Sequence, residues 1–246
     1  FGDRPEEVCN LHSWFVQPEF RGFSLLLMRP LLSRKDLTLT DFSSTPDVAT
    51  ISHRLGFQPL DGRLTLLWRT RNASSPRGVE IVTDRGLIRA RTTTADPTAL
   101  QAIDEQTLQP VLLVDADGDC LLLARHVSRD CRAYCHLHHV SDAERFCRWS
   151  VPARQALLDL CGGAFVAFDR RHLGAARLPR RLTLPVSSRQ LIRPGREHRG
   201  PIDTLRSELQ YLGMTTLPEK RLYLKAIWSR LPKFGRRIPV PQRAAT

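Results

Sequence analysis

The sequence lacks any uncharged apolar run near the roughly 18 to 20 residues that a bilayer-spanning helix requires. No basic start, apolar stretch and small-residue cleavage site open it, so the expectation is a soluble, cytoplasmic chain. Cys-x-x-Cys pairs are missing and the six cysteines fall at irregular spacing, which excludes a disulfide framework and leaves reduced, partly buried thiols. Lysine is scarce, since 33 of the 37 basic side chains are arginine, a bias that GC-rich coding alone can generate. Acidic residues are also short, 25 against 37 basic, for a formal net charge of +12.

That charge is uneven. Up to Cys120 there are 13 basic and 16 acidic residues, whereas from Leu121 onward there are 24 and 9. A basic face of this kind steers or docks anions. Aromatics in the last stretch (Tyr211, Tyr223, Trp228, Phe234) are spaced to pack a helix rather than to stack bases, which speaks against nucleic acid as the partner. With 41% hydrophobic residues in 246, the chain can bury one sizeable core or two modest ones, and two is the expectation.

What is there begins with Leu11 to Phe57, which reads strand, basic turn, apolar helix, strand, capped helix, Gly-Phe. A strand over Leu11–Val16 runs into Pro18-Glu19-Phe20-Arg21-Gly22-Phe23-Ser24 and the helix LLLMRPLL. A turn that opens a helix points unpaired N–H groups at one spot, and the helix dipole adds positive potential there, which suits a phosphate. Leu37 to Phe42 alternates like a strand, and Ser43-Ser44-Thr45-Pro46-Asp47 is a helix start that runs to Leu55 and stops at Gly56.

These residues resemble the C-terminal half of the GNAT superfamily of N-acetyltransferases, whose hallmark is V-x-P-x-x-R-G-x-G-x-G/A before a helix and a later helix ending in L-G-F. The chain carries Val16, Pro18, Arg21, Gly22 and then Leu55, Gly56, Phe57, and CNLHSWFVQPEFR is similar to a GNAT-like group from soil and plant-associated bacteria. The resemblance covers about 70 of 246 residues and implies that the N-terminal part of the family fold lies outside this sequence. It implies acetyl-CoA or another acyl-CoA as co-substrate, with direct transfer to an amine or a sugar hydroxyl. Val16 would pair with pantetheine, and the amides of Arg21, Gly22, Phe23, Ser24 and Leu25, with Thr45 at the next helix start, would hold the cofactor. The later glycines of the motif fall on Ser24 and Leu26, and the family's acid, a tyrosine four residues before Gly-Phe, is replaced by Ser52. His12 is the one conventional base on the strand, so His12 and Ser52 are the candidate catalytic residues.

A strand, helix, strand order recurs about 125 residues later. Val111–Val114 and Cys120–Ala124 form a hairpin over an Asp-Gly turn, and Ala133–Val140, Asp142–Leu160 and Ala164–Asp169 follow as strand, helix and strand. This second module has no glycine-rich turn, and it reads as structure or acceptor recognition. Asp115-Ala-Asp117-Gly118-Asp119 is not spaced as a calcium loop, and the Cys131, Cys135, His136, His138, His139, Cys147 group is not spaced as a zinc site, so no metal is expected. Alternation would point Cys135 and His139 one way and His136 and His138 the other.

The expectation is therefore an α/β chain: a GNAT-like mixed sheet flanked by helices over 1–69, a linker with one short helix over 70–110, a second, degenerate GNAT-like module over 111–212 and a basic tail over 213–246. Its function would be acyl transfer, with a non-catalytic binder of an anionic partner (nucleic acid or acidic polysaccharide) through Arg193, Arg196 and Arg199 as the alternative. Asp203 or Glu208 would supply a base if the tail folds back on the first module.

Overall fold

The computed structural model describes residues 7–12, 16–70, 77–94, 96–129, 132–179, 181–186, 188–196, 198, 202, 204–213 and 217. In chain order the elements are β1 (Val8–Asn10), a 3-10 turn (Pro18–Phe23), α1 (Ser24–Ser33), β2 (Thr38–Ser44), α2 (Pro46–Arg54), β3 (Gln58–Pro59) and β4 (Arg63–Trp68). Then come β5 (Val79–Val82), α3 (Arg85–Arg91), α4 (Pro97–Ala102), β6 (Gln109–Asp115), β7 (Gly118–Arg129) and β8 (Arg132–Val140). The last are α5 (Ala143–Arg148), α6 (Ser150–Cys161), β9 (Phe165–Asp169), a second 3-10 turn (Arg170–Leu173), β10 (Leu182–Pro185), β11 (Arg189–Arg193) and α7 (Glu208–Tyr211). The class is mixed α/β, with helices flanking a seven-stranded sheet in the order β10-β4-β9-β8-β7-β6-β5 and a four-stranded one in the order β1-β2-β11-β3.

The two sheets share one pattern. In the smaller, β1 and β2 are parallel and joined through α1, then β11 and β3 follow, each antiparallel to its neighbour. In the larger, β8 and β9 are parallel and joined through α5 and α6, then β4 and β10 follow, again antiparallel. The third strand of each set comes from the other half of the chain: β4 crosses into the larger sheet and β11 into the smaller. Neither half closes its own sheet without the other.

Residues 70–110, expected as a linker with one short helix, carry β5 and two helices. Asp84 and Asp96 accept hydrogen bonds from Leu87 N and Thr98 N and cap the two helices; the one after Asp96 is the short helix expected near Pro97 to Leu108, and the one after Asp84 was not expected. The single helix expected over Asp142–Leu160 is broken at Trp149, because Pro152 has no N–H for the carbonyl four residues back and its ring crowds that turn. The strand expected over Leu11–Val16 lies earlier, as β1, with its last ladder bond from Leu11 N to Thr40 O at 2.7 Å; residues 13–15 lie outside the described set.

The core follows these layers. Leu113, Leu122, Leu137, Val166 and Phe168 on one face of the large sheet meet Phe146, Leu157 and Leu158 of α5 and α6. Leu112, Leu121 and Leu123 on the other face meet Ile88, Ala99 and Ala102 of α3 and α4, together with Leu205. In the small sheet Leu39 and Leu191 pack against α1 and α2, while Phe42 and Ile192 meet Ile202 and Leu209. The segment that ends in α7 thus touches both sheets. Gly163, before β9, lies so close to β8 that a Cβ would come within 2.7 Å of Tyr134 Cα, which explains the glycine.

Among the described residues, no helix is long and apolar enough to cross a membrane.

Candidate functional site

Parallel strands place the starts of their following helices at one edge, so the entry turn of α1 and the N-terminus of α2 both sit beyond the C-terminal ends of β1 and β2. There the two strands part. Thr38 N donates to Glu7 O at 3.1 Å and Leu11 N to Thr40 O at 2.7 Å, so a continued ladder would give Phe42 N the next carbonyl of the first strand. Instead Phe42 N donates to Glu208 Oε1 at 3.2 Å, and Asn10 Nδ2 donates to Glu208 Oε2 at 2.5 Å. Thr40 Oγ1 in turn donates to Asn10 Oδ1 at 3.1 Å. A carboxylate from α7, only 1% exposed, fills the divergence of the two strands.

Asp41 shares this end of β2 at 9% exposure. Burial pushes its carboxyl above the ordinary value; hydrogen bonds from Ser44 and from Ser43 N–H oppose that, and the Glu208 charge adds to it.

The residues singled out from sequence fall as follows. His12 is exposed and follows the last ladder residue directly, so it stands at the mouth of the divergence. Val16 is half-buried just before the 3-10 turn, and Arg21, Gly22 and Phe23 are exposed on it. Ser24 and Leu25 begin α1, which has no side-chain cap. A Cβ on Gly22 would meet nothing within 4 Å, so packing does not demand that glycine and the space beside it is open. The turn is wound, however: Phe20 N donates to Gln17 O and Ser24 N to Arg21 O, with the 3-10 pattern of three-residue steps between. The amides expected to face pyrophosphate therefore point along the turn, toward carbonyls three residues back. Thr45 caps α2 by accepting from Val48 N at 3.4 Å. Ser52 is 5% exposed inside α2, and its carbonyl receives the N–H groups of Leu55 and Phe57. Gly56 takes φ +89° there, a conformation that favours glycine.

Sequence reasoning missed Asn10 and Asp41, and no local signal marks them. Of the two tail acids it raised, Asp203 and with it Arg199 lie outside the described residues, and Glu208 reaches the first strand pair. Arg193 turns inward and donates from Nη2 to Leu32 O at 2.9 Å, which ties β11 to the end of α1. Arg196 is exposed.

The Asp-rich hairpin carboxylates have side-chain partners. Asp115 accepts from Arg145 and from Trp149 Nε1 at 2.7 Å, Asp117 from Arg148 at 2.7 Å, and Asp119 from Thr92 Oγ1 at 3.0 Å. On β8, Tyr134, His136 and His138 line one face, with the two imidazole centroids 4.3 Å apart. Among the described residues, no group of three or more His, Cys, Asp or Glu side chains is placed to hold a metal ion.

No protein-family model and no curated protein matches the chain. Among solved structures it is similar to a GCN5-related N-acetyltransferase from Sphaerobacter thermophilus, with 14% identity over 73% of this chain and 72% of that one and a TM-score of 0.37. A GCN5-related N-acetyltransferase from Anabaena variabilis is 14% identical over 71% of this chain and 52% of that one, with a TM-score of 0.43. A functionally unknown conserved protein from Staphylococcus epidermidis is 10% identical over 71% and 77%, with a TM-score of 0.34. The chain thus spans about half the length of the Anabaena protein.

Proposed function

We propose that the chain is an acyl-CoA-dependent acyltransferase that moves an acyl group directly to an amine or a sugar hydroxyl. The observation that carries this reading is the parting of β1 and β2 beyond Leu11 and Thr40, with both helix starts at that edge. A cleft at the mouth of this divergence, outside the Glu208 carboxylate, would give an extended thioester a place to lie, with exposed Arg21 and the open space at Gly22 beside its phosphates. The acceptor nitrogen or oxygen attacks the thioester carbonyl, the C–S bond breaks, the thiolate leaves with a proton and the acceptor gives up its own. His12, exposed at the mouth, takes the acceptor proton. Glu208 is already held by Asn10 and the Phe42 amide, so it keeps the strands apart rather than acting as base. The amides of the wound turn reach a phosphate only once its 3-10 hydrogen bonds open.

Calorimetric titration with acetyl-CoA tests this. Saturable binding weakened at least tenfold by Arg21→Glu is the expected result. Binding that ignores this change places the cofactor elsewhere. In the acylation assay that follows, His12→Ala should lower kcat about a hundredfold, since general-base assistance is worth about 10²- to 10⁴-fold, with melting curves to establish that the variant is folded.

One observation favours a second reading: the Glu208 carboxylate occupies the divergence and the turn amides are taken by carbonyls three residues back, as in a protein that keeps the architecture without the chemistry. Under that reading acetyl-CoA gives no saturable heat.

A further inference from the structure

The helix α1 is apolar on both of its sides. Inward, Met28 is buried, and Leu31 and Leu32 pack into the core of the small sheet. Successive helical residues turn by about 100°, so Leu26 and Pro30 point away from Met28. Leu25, Leu26 and Leu27 are 47%, 57% and 63% exposed, and Phe20 and Phe23 of the preceding 3-10 turn are 55% and 65% exposed. Residues three apart eclipse one another in a 3-10 turn, so the two phenyl rings project from one side. Leu26 and Leu27 continue that stripe at the next three- and four-residue steps. A helix apolar all round, with large side chains contiguous on its outer face, marks a docking surface.

Charge decides what docks there. Arg21 and Arg29 are exposed in the same stretch, and among the described residues neither forms an ion pair or a side-chain hydrogen bond. Glu19 is the one acid between Val16 and Ser33. A second copy seated by two-fold symmetry would set this net positive face against itself. A bilayer containing anionic lipids accepts both halves of the pattern, because large apolar side chains enter the acyl boundary while guanidinium groups stay at the lipid phosphates.

We propose that Phe20, Phe23, Leu26 and Leu27 dock the protein on the surface of an anionic lipid bilayer. The contact lies in the interface, since α1 has only ten residues and a spanning helix needs about 20. The formal net charge of +12 draws the chain to such a surface before the apolar residues enter it. Docking is independent of acyl transfer, because the side chains of Leu26 and Leu27 have no part in that chemistry and vesicle binding is measured without acyl-CoA.

The test is co-sedimentation of the full chain with vesicles of phosphatidylcholine, made with and without phosphatidylglycerol. The expected result is saturable binding to the anionic vesicles and much weaker binding to the neutral ones. The double change Leu26→Gln and Leu27→Gln should weaken the anionic binding at least about tenfold, since it removes apolar surface and leaves every charge in place. Arg29→Glu should weaken it as well, and added salt should weaken it further. Melting curves establish that the variants are folded. Binding that survives the double change would come from basic charge elsewhere on the chain and overturns the proposal, as does the absence of binding to anionic vesicles. A concentration-dependent dimer that the double change abolishes, without vesicle binding, also overturns it and gives the face to a second copy.

Discussion

Glu208→Leu is expected to lower the free energy of unfolding by about 4 kcal/mol, measured by urea denaturation at neutral pH. The side chain is 1% exposed and accepts from Asn10 Nδ2 and Phe42 N, so its removal leaves two donors facing an apolar surface. An orphaned buried donor costs about 1–3 kcal/mol, and more where the lost partner was charged. Phe42 is itself 2% exposed and packed with Ile192, Ile202 and Leu209, which keeps its N–H from bulk solvent. Leucine is close enough in size to keep the packing, so the loss reports the hydrogen bonds rather than a cavity.

Glu208→Gln should recover part of that loss, because its carbonyl oxygen still accepts from one donor while its NH₂ must turn away from the other. If Leu and Gln behave alike, the carboxylate is not what holds the divergence. If Leu costs less than about 1 kcal/mol, the two strands close on each other without it, and the cleft proposed for the thioester loses its support. The same variants therefore test the site as well as the fold.

The order of elements from Leu11 to Phe57 was legible because each boundary has local chemistry: Thr45 and Pro46 begin α2, and Gly56 ends it. The hairpin over Asp115 to Asp119 and the strand before α5 were legible for the same reason. Which sheet a strand joins was not. Arg63–Trp68 and Arg189–Arg193 are short runs buried at every central position, which fit either sheet, and only the assembled molecule shows that each lies in the sheet of the opposite half. The site was half legible. Turn and helix starts announce themselves, whereas Glu208 meets Phe42 across 166 residues of chain, and no local pattern encodes that contact. In residues 70–110 the short helix that begins at Pro97 was legible, whereas β5 and the helix that Asp84 caps were not.

The second large effect is expected in acid. Between pH 6.5 and about 4 the chain should lose about 3 kcal/mol of stability through His136 alone. Burial pushes this imidazole down to about 4 from an ordinary 6.5; the charges of His172 and Arg125 add to the depression, and Asp169 opposes it. His136 is 2% exposed, and its Nδ1 has no hydrogen-bond partner among the described residues. His138, fully buried beside it, is depressed well below its ordinary range by burial, then by His136, His172 and Arg125, and its Nδ1 meets Thr204 Oγ1 at 2.9 Å. The sign is fixed by which state holds the proton. Below 6.5 the unfolded chain protonates these rings while the folded one keeps them neutral, so protons favour unfolding until the pH falls past the folded value. The contribution is complete above 6.5 and disappears as pH falls toward 4. Asp41 acts the other way, since its raised carboxyl takes up a proton in the folded state first and offsets some of the loss near the lower end. Urea denaturation of the parent and of His136→Leu at pH 7, 6, 5 and 4.5 separates the terms. The variant should show a shallower fall across this window, because leucine keeps much of the buried volume and cannot take up a proton. Parallel curves for the two proteins would mean that other groups carry the acid sensitivity and that the buried face of β8 is more accessible to water than its packing indicates.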